Sequence, residues 1–82
     1  MLNPETLSLD DIYVPVKLRK TLKEAEVEAA AESILAEEAQ RPIQVRRGKG
    51  RYVLVKGLHR LEAVRALGEE TIEALIVQAR RS

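Results

Sequence analysis

Between Glu24 and Leu35 the apolar residues Val27, Ala30, Ala31, Ile34 and Leu35 recur at steps of three and four. That period lays one stripe along an α-helix of about four turns. Thr21 is placed to cap this helix, and Glu24 three residues on completes a capping box. Gln40-Arg41-Pro42 stops the helix, and Ile43-Gln44-Val45-Arg46 then alternates as a half-buried strand does. Gly48-Lys49-Gly50 predicts a hairpin connection to an antiparallel strand, Arg51-Tyr52-Val53-Leu54-Val55. After Lys56-Gly57 the helical period returns in Leu58, Leu61, Val64 and Leu67, giving a second helix from about His59 to Leu67 with Gly68 as its C-cap. Thr71 to Val77 is nearly continuous in apolar character, which predicts a strand that is central or well covered. Upstream, Leu7-Ser8-Leu9 reads as a short strand, Asp10-Asp11-Ile12 as a turn and Val14-Pro15-Val16 as extended chain.

These elements predict an α+β fold: a small mixed sheet of about four strands with two or three helices. The 82 residues allow one domain, spanning 1–82, with its core between about 7 and 77. There is no Trp or Phe and only Tyr13 and Tyr52, so the core is built from Leu, Val, Ile and Ala. The absence of cysteine excludes disulfides, thiolate metal sites and cysteine nucleophiles. No apolar run approaches the roughly 20 residues that span a bilayer, and no signal-peptide pattern is present, so a cytoplasmic protein is expected. The polar tail Gln78 to Ser82 is expected to fray.

The net charge of +1 conceals a segregation that says more than the sum. From Arg41 to Arg60 stand seven Lys and Arg residues (Arg41, Arg46, Arg47, Lys49, Arg51, Lys56, Arg60) and no acidic one. From Glu24 to Glu38 stand six glutamates and no Lys or Arg, which reads as the exposed face of the first helix. One face of the molecule should attract anions.

The candidate site is the turn Gly57-Leu58-His59-Arg60, where a strand gives way to a helix. A helix N-terminus presents amides without intrahelical partners and a partial positive charge. Glycine lets the backbone bend sharply there, as phosphate-cradling loops do. His59 and Arg60 fall on the first turn and can add hydrogen bonds, the guanidinium in a two-pronged geometry suited to phosphate. Each feature also has an ordinary structural use: a turn glycine, a capping imidazole, a solvated arginine. Yet a cation at a helix N-terminus opposes the dipole, so Arg60 calls for a compensating anion. Arg46, Arg47, Lys49 and Arg51 read either as a solvated hairpin tip or as a nucleic-acid contact, with Tyr52 as its one interleaved aromatic. Asp10 and Asp11 lack the further ligands that a metal site needs.

Over roughly Leu7 to Val77 the chain resembles the ParB/sulfiredoxin superfamily. The resemblance rests on four pieces in order: Leu18-Arg19; Ala31-Glu32-Ser33-Ile34; Pro42-Ile43-Gln44-Val45-Arg46; and Gly57-Leu58-His59-Arg60-Leu61-Glu62-Ala63. The closing Glu70-Thr71-Ile72 and Ala74-Leu75-Ile76-Val77-Gln78 look like the end of sulfiredoxin. The resemblance implies a nucleotide pocket, since sulfiredoxins bind ATP, ParB proteins bind and hydrolyse CTP, and a related kinase phosphorylates free serine using ADP. All place phosphates at the turn matching Gly57 to Arg60. By the same resemblance Ser33 and Arg19 assist, and magnesium accompanies the nucleotide.

The departures narrow the chemistry. Leu58 stands where sulfiredoxin has its catalytic cysteine, so reduction of a sulfinic acid is ruled out. Gly-Leu-His-Arg stands where ParB proteins have Gly-Glu-Arg-Arg, and Glu26 and Ala29 fall where sulfiredoxin has a lysine and a serine. Three expectations follow. The first is a module that binds ATP, ADP or CTP through Gly57, His59, Arg60, Ser33 and Arg19, with NTP hydrolysis or phosphoryl transfer as its chemistry. The second is a DNA-binding or ParB-like nuclease protein acting through Arg46, Arg47, Lys49 and Arg51. The third is a regulatory or scaffold module that has lost its ligand.

Overall fold

The computed structural model describes residues 3–36 and 41–78. Glu37, Glu38, Gln40 and the end of the tail lie outside them. Five strands form one sheet: β1 (Glu5–Ser8), β2 (Ile12–Tyr13), β3 (Ile43–Arg47), β4 (Tyr52–Lys56) and β5 (Thr71–Val77), in spatial order β1-β5-β3-β4-β2. β5 runs antiparallel to β1 and parallel to β3, β4 runs antiparallel to β3, and β2 lies parallel to β4. Among the described residues three α-helices accompany the sheet, α1 (Val16–Arg19), α2 (Glu24–Leu35) and α3 (Leu58–Ala66), and Leu9–Asp11 forms a short 3-10 turn. The apolar run of residues 71–77 is internal, as its pattern predicts, with β1 on one side and β3 on the other.

The core is aliphatic, with Ile43, Val45, Leu54 and Leu61 almost wholly enclosed. Ile43, Val45, Leu54, Ile72 and Ala74 from the sheet pack with Leu58, Leu61 and Val64 of α3. Because side chains alternate along a strand, Gln44, Arg46, Glu73 and Leu75 fall on the opposite face of the sheet. The two faces thus differ in chemistry, one closed by helices and the other mixing polar side chains with Val53, Val55 and Leu75.

Several local expectations need correction. The sheet gains a fifth strand in β2, formed by Ile12 from the end of the segment read as a turn and Tyr13 after it, because the two align with Tyr52 and Val53 of β4. Val16 is not extended but opens α1: Pro15 holds φ near −58° just before it, and its carbonyl accepts from the amides of Leu18 and Arg19. Thr21 does not cap α2, since its hydroxyl donates to the Leu18 carbonyl at 2.7 Å and closes the preceding turn instead. Lys23 holds the N-cap position, without a side-chain cap. Arg51 belongs to the hairpin connection rather than to β4, and the Gly48 amide donates to its carbonyl at 2.8 Å.

The α2 stripe is only partly covered. Ile34 packs against the core, but Leu35 is 69% exposed. The second helix matches its pattern closely. It begins one residue earlier than expected, at Leu58, and Gly68 takes the left-handed conformation after it (φ 84°), its amide donating to the Arg65 carbonyl.

Candidate functional site

The turn after β4 is built by Gly57, whose φ of 110° and ψ of 29° lie where L side chains are disfavoured. Space imposes glycine as strongly as conformation does. A Cβ at this position would sit 2.6 Å from Ile43 Cγ2 and 2.9 Å from Ile43 Cβ. The missing side chain thus lets the turn press against β3. The Gly57 carbonyl accepts from the Leu61 amide at 2.9 Å and starts the α3 ladder. The amides of Leu58, His59 and Arg60 precede that ladder, which is the arrangement that favours anions.

Beside this turn lies a cavity of about 380 Å³ lined by Arg41, Pro42, Ile43, Gln44, Lys56, Gly57, Arg60 and Leu75. Three cationic side chains meet there, and no carboxylate is among its described lining residues. Topology brings them together: Arg41 leads into β3, Lys56 ends the neighbouring antiparallel β4, and Arg60 rides on the first turn of α3. A second, more apolar groove of about 350 Å³ shares Arg41, Pro42 and Arg60 and continues past Ile34, Val64 and Ile72, with Glu69 and Glu73 also in its lining. Leu58, at the position of the sulfiredoxin cysteine, is a buried core residue.

His59 turns to a different neighbour. Its Nε2 accepts from the Lys23 backbone amide at 3.2 Å and lies 3.3 Å from Glu26 Oε2. The ring therefore serves as the cap that α2 lacks from its own N-cap residue. One nitrogen cannot do both jobs. With a lone pair it takes the Lys23 amide, and with a proton it donates to Glu26.

Of the five residues singled out from sequence, Gly57 and Arg60 line the cationic cavity. His59 stands at the α2 N-terminus. Ser33 lies half-buried on α2, next to the Ile34 that lines the apolar groove. Arg19 lines a separate cavity with Tyr13, Leu22, Leu58, Glu62 and Arg65. Arg41 and Lys56 complete the cationic cavity, and each was visible from sequence only as a member of the acid-free stretch. No group of three or more His, Asp or Glu side chains able to hold a metal occurs among the described residues. No helix among them is long and apolar enough to cross a membrane.

Comparison with known proteins fits this architecture. The family model of the ParB N-terminal domain matches residues 3–82. Sulfiredoxin from Arabidopsis thaliana is 30% identical, with a TM-score of 0.77, over 96% of this chain and 86% of that one. ParB from Caulobacter crescentus, complexed with CTP-γ-S, is 23% identical with a TM-score of 0.79, over 95% of this chain and 46% of that one. A free serine kinase variant in complex with ADP is 23% identical with a TM-score of 0.78, over 90% of this chain and 30% of that one. The chain thus spans most of the sulfiredoxin but under half of the ParB protein and under a third of the kinase, and at their identity these two bear on the fold alone. No curated protein matches the chain. With the family match extending over almost its whole length, the chain belongs to the ParB N-terminal domain family, within the ParB/sulfiredoxin superfamily.

Proposed function

We propose that this domain binds a nucleotide by its phosphates at the Gly57-Leu58-His59-Arg60 turn. The observation that carries this is the cavity where Arg41, Lys56 and Arg60 meet at the start of α3. A phosphate group placed there would meet cationic side chains and the helix amides as donors together. The apolar groove that shares Arg41, Pro42 and Arg60 offers Ile34 and Val64 as a seat for the base. Structural neighbours that hold CTP-γ-S or ADP lend support from the fold. Magnesium would arrive with the phosphates, held by phosphate oxygens more than by the protein. Arg19 and Ser33 receive no phosphate contact in this arrangement.

Calorimetry against ATP, ADP and CTP, each with magnesium, tests the proposal. At least one should bind, and Arg60→Ala or Lys56→Ala should weaken it about tenfold or more, as loss of a charge-assisted contact of about 1.5–3 kcal/mol requires. Absence of heat and of thermal stabilisation with all three at millimolar concentration would overturn it and leave a scaffold role.

A further inference from the structure

α2 buries no residue fully, and Ile34 near its C-terminal end is the side chain that packs against the core. Its first turn therefore depends on local bonds, the kind of segment that opens at low cost. In that turn Lys23 is the N-cap and Glu26 the third helical residue. A glutamate so placed ordinarily accepts from the N-cap amide and completes a capping box. Here the amide of Lys23 goes instead to His59 Nε2, 36 residues away, at 3.2 Å, and Glu26 Oε2 stands 3.3 Å from the same nitrogen.

The Lys23 amide can be accepted only by a lone pair, so the neutral ring must carry its proton on Nδ1. A second proton makes Nε2 a donor. The amide then loses its acceptor, and Glu26 gains a charge-assisted bond. One proton thus exchanges a tie to the α2 backbone for a tie to a side chain. Charged groups from each helix here bear on that exchange: Lys23 and Glu26 from the start of α2, Arg60 and Glu62 from α3 itself, and Arg19 of α1, which lines a cavity with Leu58 and Glu62. Glu62 turns to Arg65 at 3.7 Å, whereas Glu26 faces the ring. β3 meets α3 through the apolar Ile43 and Val45.

We propose that His59 is a proton-operated latch between the two helices. Neutral, it fastens the first turn of α2 to the turn at Gly57; charged, it releases the Lys23 amide and holds Glu26. The latch itself needs no ligand. Its regulatory consequence rests on the nucleotide reading above: phosphate seated at that turn favours the charged ring, so nucleotide and proton together loosen the start of α2.

Heteronuclear NMR of the ligand-free domain tests the latch, with the imidazole and the Lys23 amide followed from about pH 8 to about pH 5, the range in which histidines change charge. At the upper limit the ring should be the Nδ1–H tautomer, the opposite of the form that free histidine prefers in water. At the lower limit, protection of the Lys23 amide, corrected for the intrinsic exchange rate, should be weaker by about fivefold, as for loss of a cap of ordinary strength. Glu26→Gln should move the transition to lower pH, because the ring loses the carboxylate that favours its charge. An Nε2–H tautomer at the upper limit, protection indifferent to pH, or a transition unmoved by Glu26→Gln would overturn the latch. Saturating nucleotide should move the same transition to higher pH, and a bound nucleotide that leaves it in place would overturn the coupling. If ATP, ADP and CTP all fail to bind, the nucleotide reading falls, and the titration of the free domain still decides the latch.

Discussion

At Gly57 two independent constraints coincide, an unusual backbone conformation and the proximity of Ile43. An added methyl must distort both the turn and β3. Gly57→Ala should therefore destabilise the domain by about 3 kcal/mol, combining backbone strain with overpacking, as read by urea unfolding. His59 acts differently, since its ring satisfies an amide on another helix. His59→Ala should cost about 1 kcal/mol, the usual value of a lost cap, and should speed amide exchange in the first turn of α2 more than elsewhere. An exchange effect spread evenly over the chain would argue against the capping role. The turn itself was readable from sequence because glycine between a strand and a helix has few uses. What it touches was not, because Lys23 lies 36 residues from His59 and no periodicity links them.

At the scale of elements, α2 and α3 invert the ranking that their patterns suggest. The longer stripe of α2 covers its neighbour only in part, whereas α3 contributes Leu58, Leu61, Ala63 and Val64 to the interior. Leu61→Ala should thus cost about 3 kcal/mol, within the range for emptying a closed aliphatic site. Leu35→Ala should fall within about 0.5 kcal/mol of the parent. Matching denaturation curves for the two variants would refute this division. Both helices, the hairpin and β5 were legible because each extends far enough for a period to show. β2 and α1 were not, at two and four residues, since each exists only through what surrounds it: the register with β4, and Pro15 setting the first turn.

At the scale of the molecule, the acid-free stretch folds so that its cations separate into two groups at opposite ends of β4. Sequence showed the stretch but not the division, because antiparallel pairing of β3 with β4 is what returns Arg41 to Lys56 and leaves Arg47 beside Tyr52. A nucleotide present at about a hundredfold over its Kd should add about 2.7 kcal/mol to stability. For a domain of this size that raises Tm by roughly 10–20 °C. Added salt should reduce the shift, since charge steers and holds the ligand. A shift indifferent to salt would argue against the cationic cavity as the phosphate seat.

Among the described residues the edge strand β1 has one neighbour in the sheet, and that neighbour is β5, the last of the five strands in chain order. During synthesis the first strand must therefore wait, unpaired, until the ribosome has released the final one. Its apolar Leu7, and Leu9 just after it, stay accessible in the interval, and closure of so long a loop sets the pace of folding. Chaperone dependence should accordingly concentrate at this opening segment, and a chain truncated before Thr71 should expose it permanently.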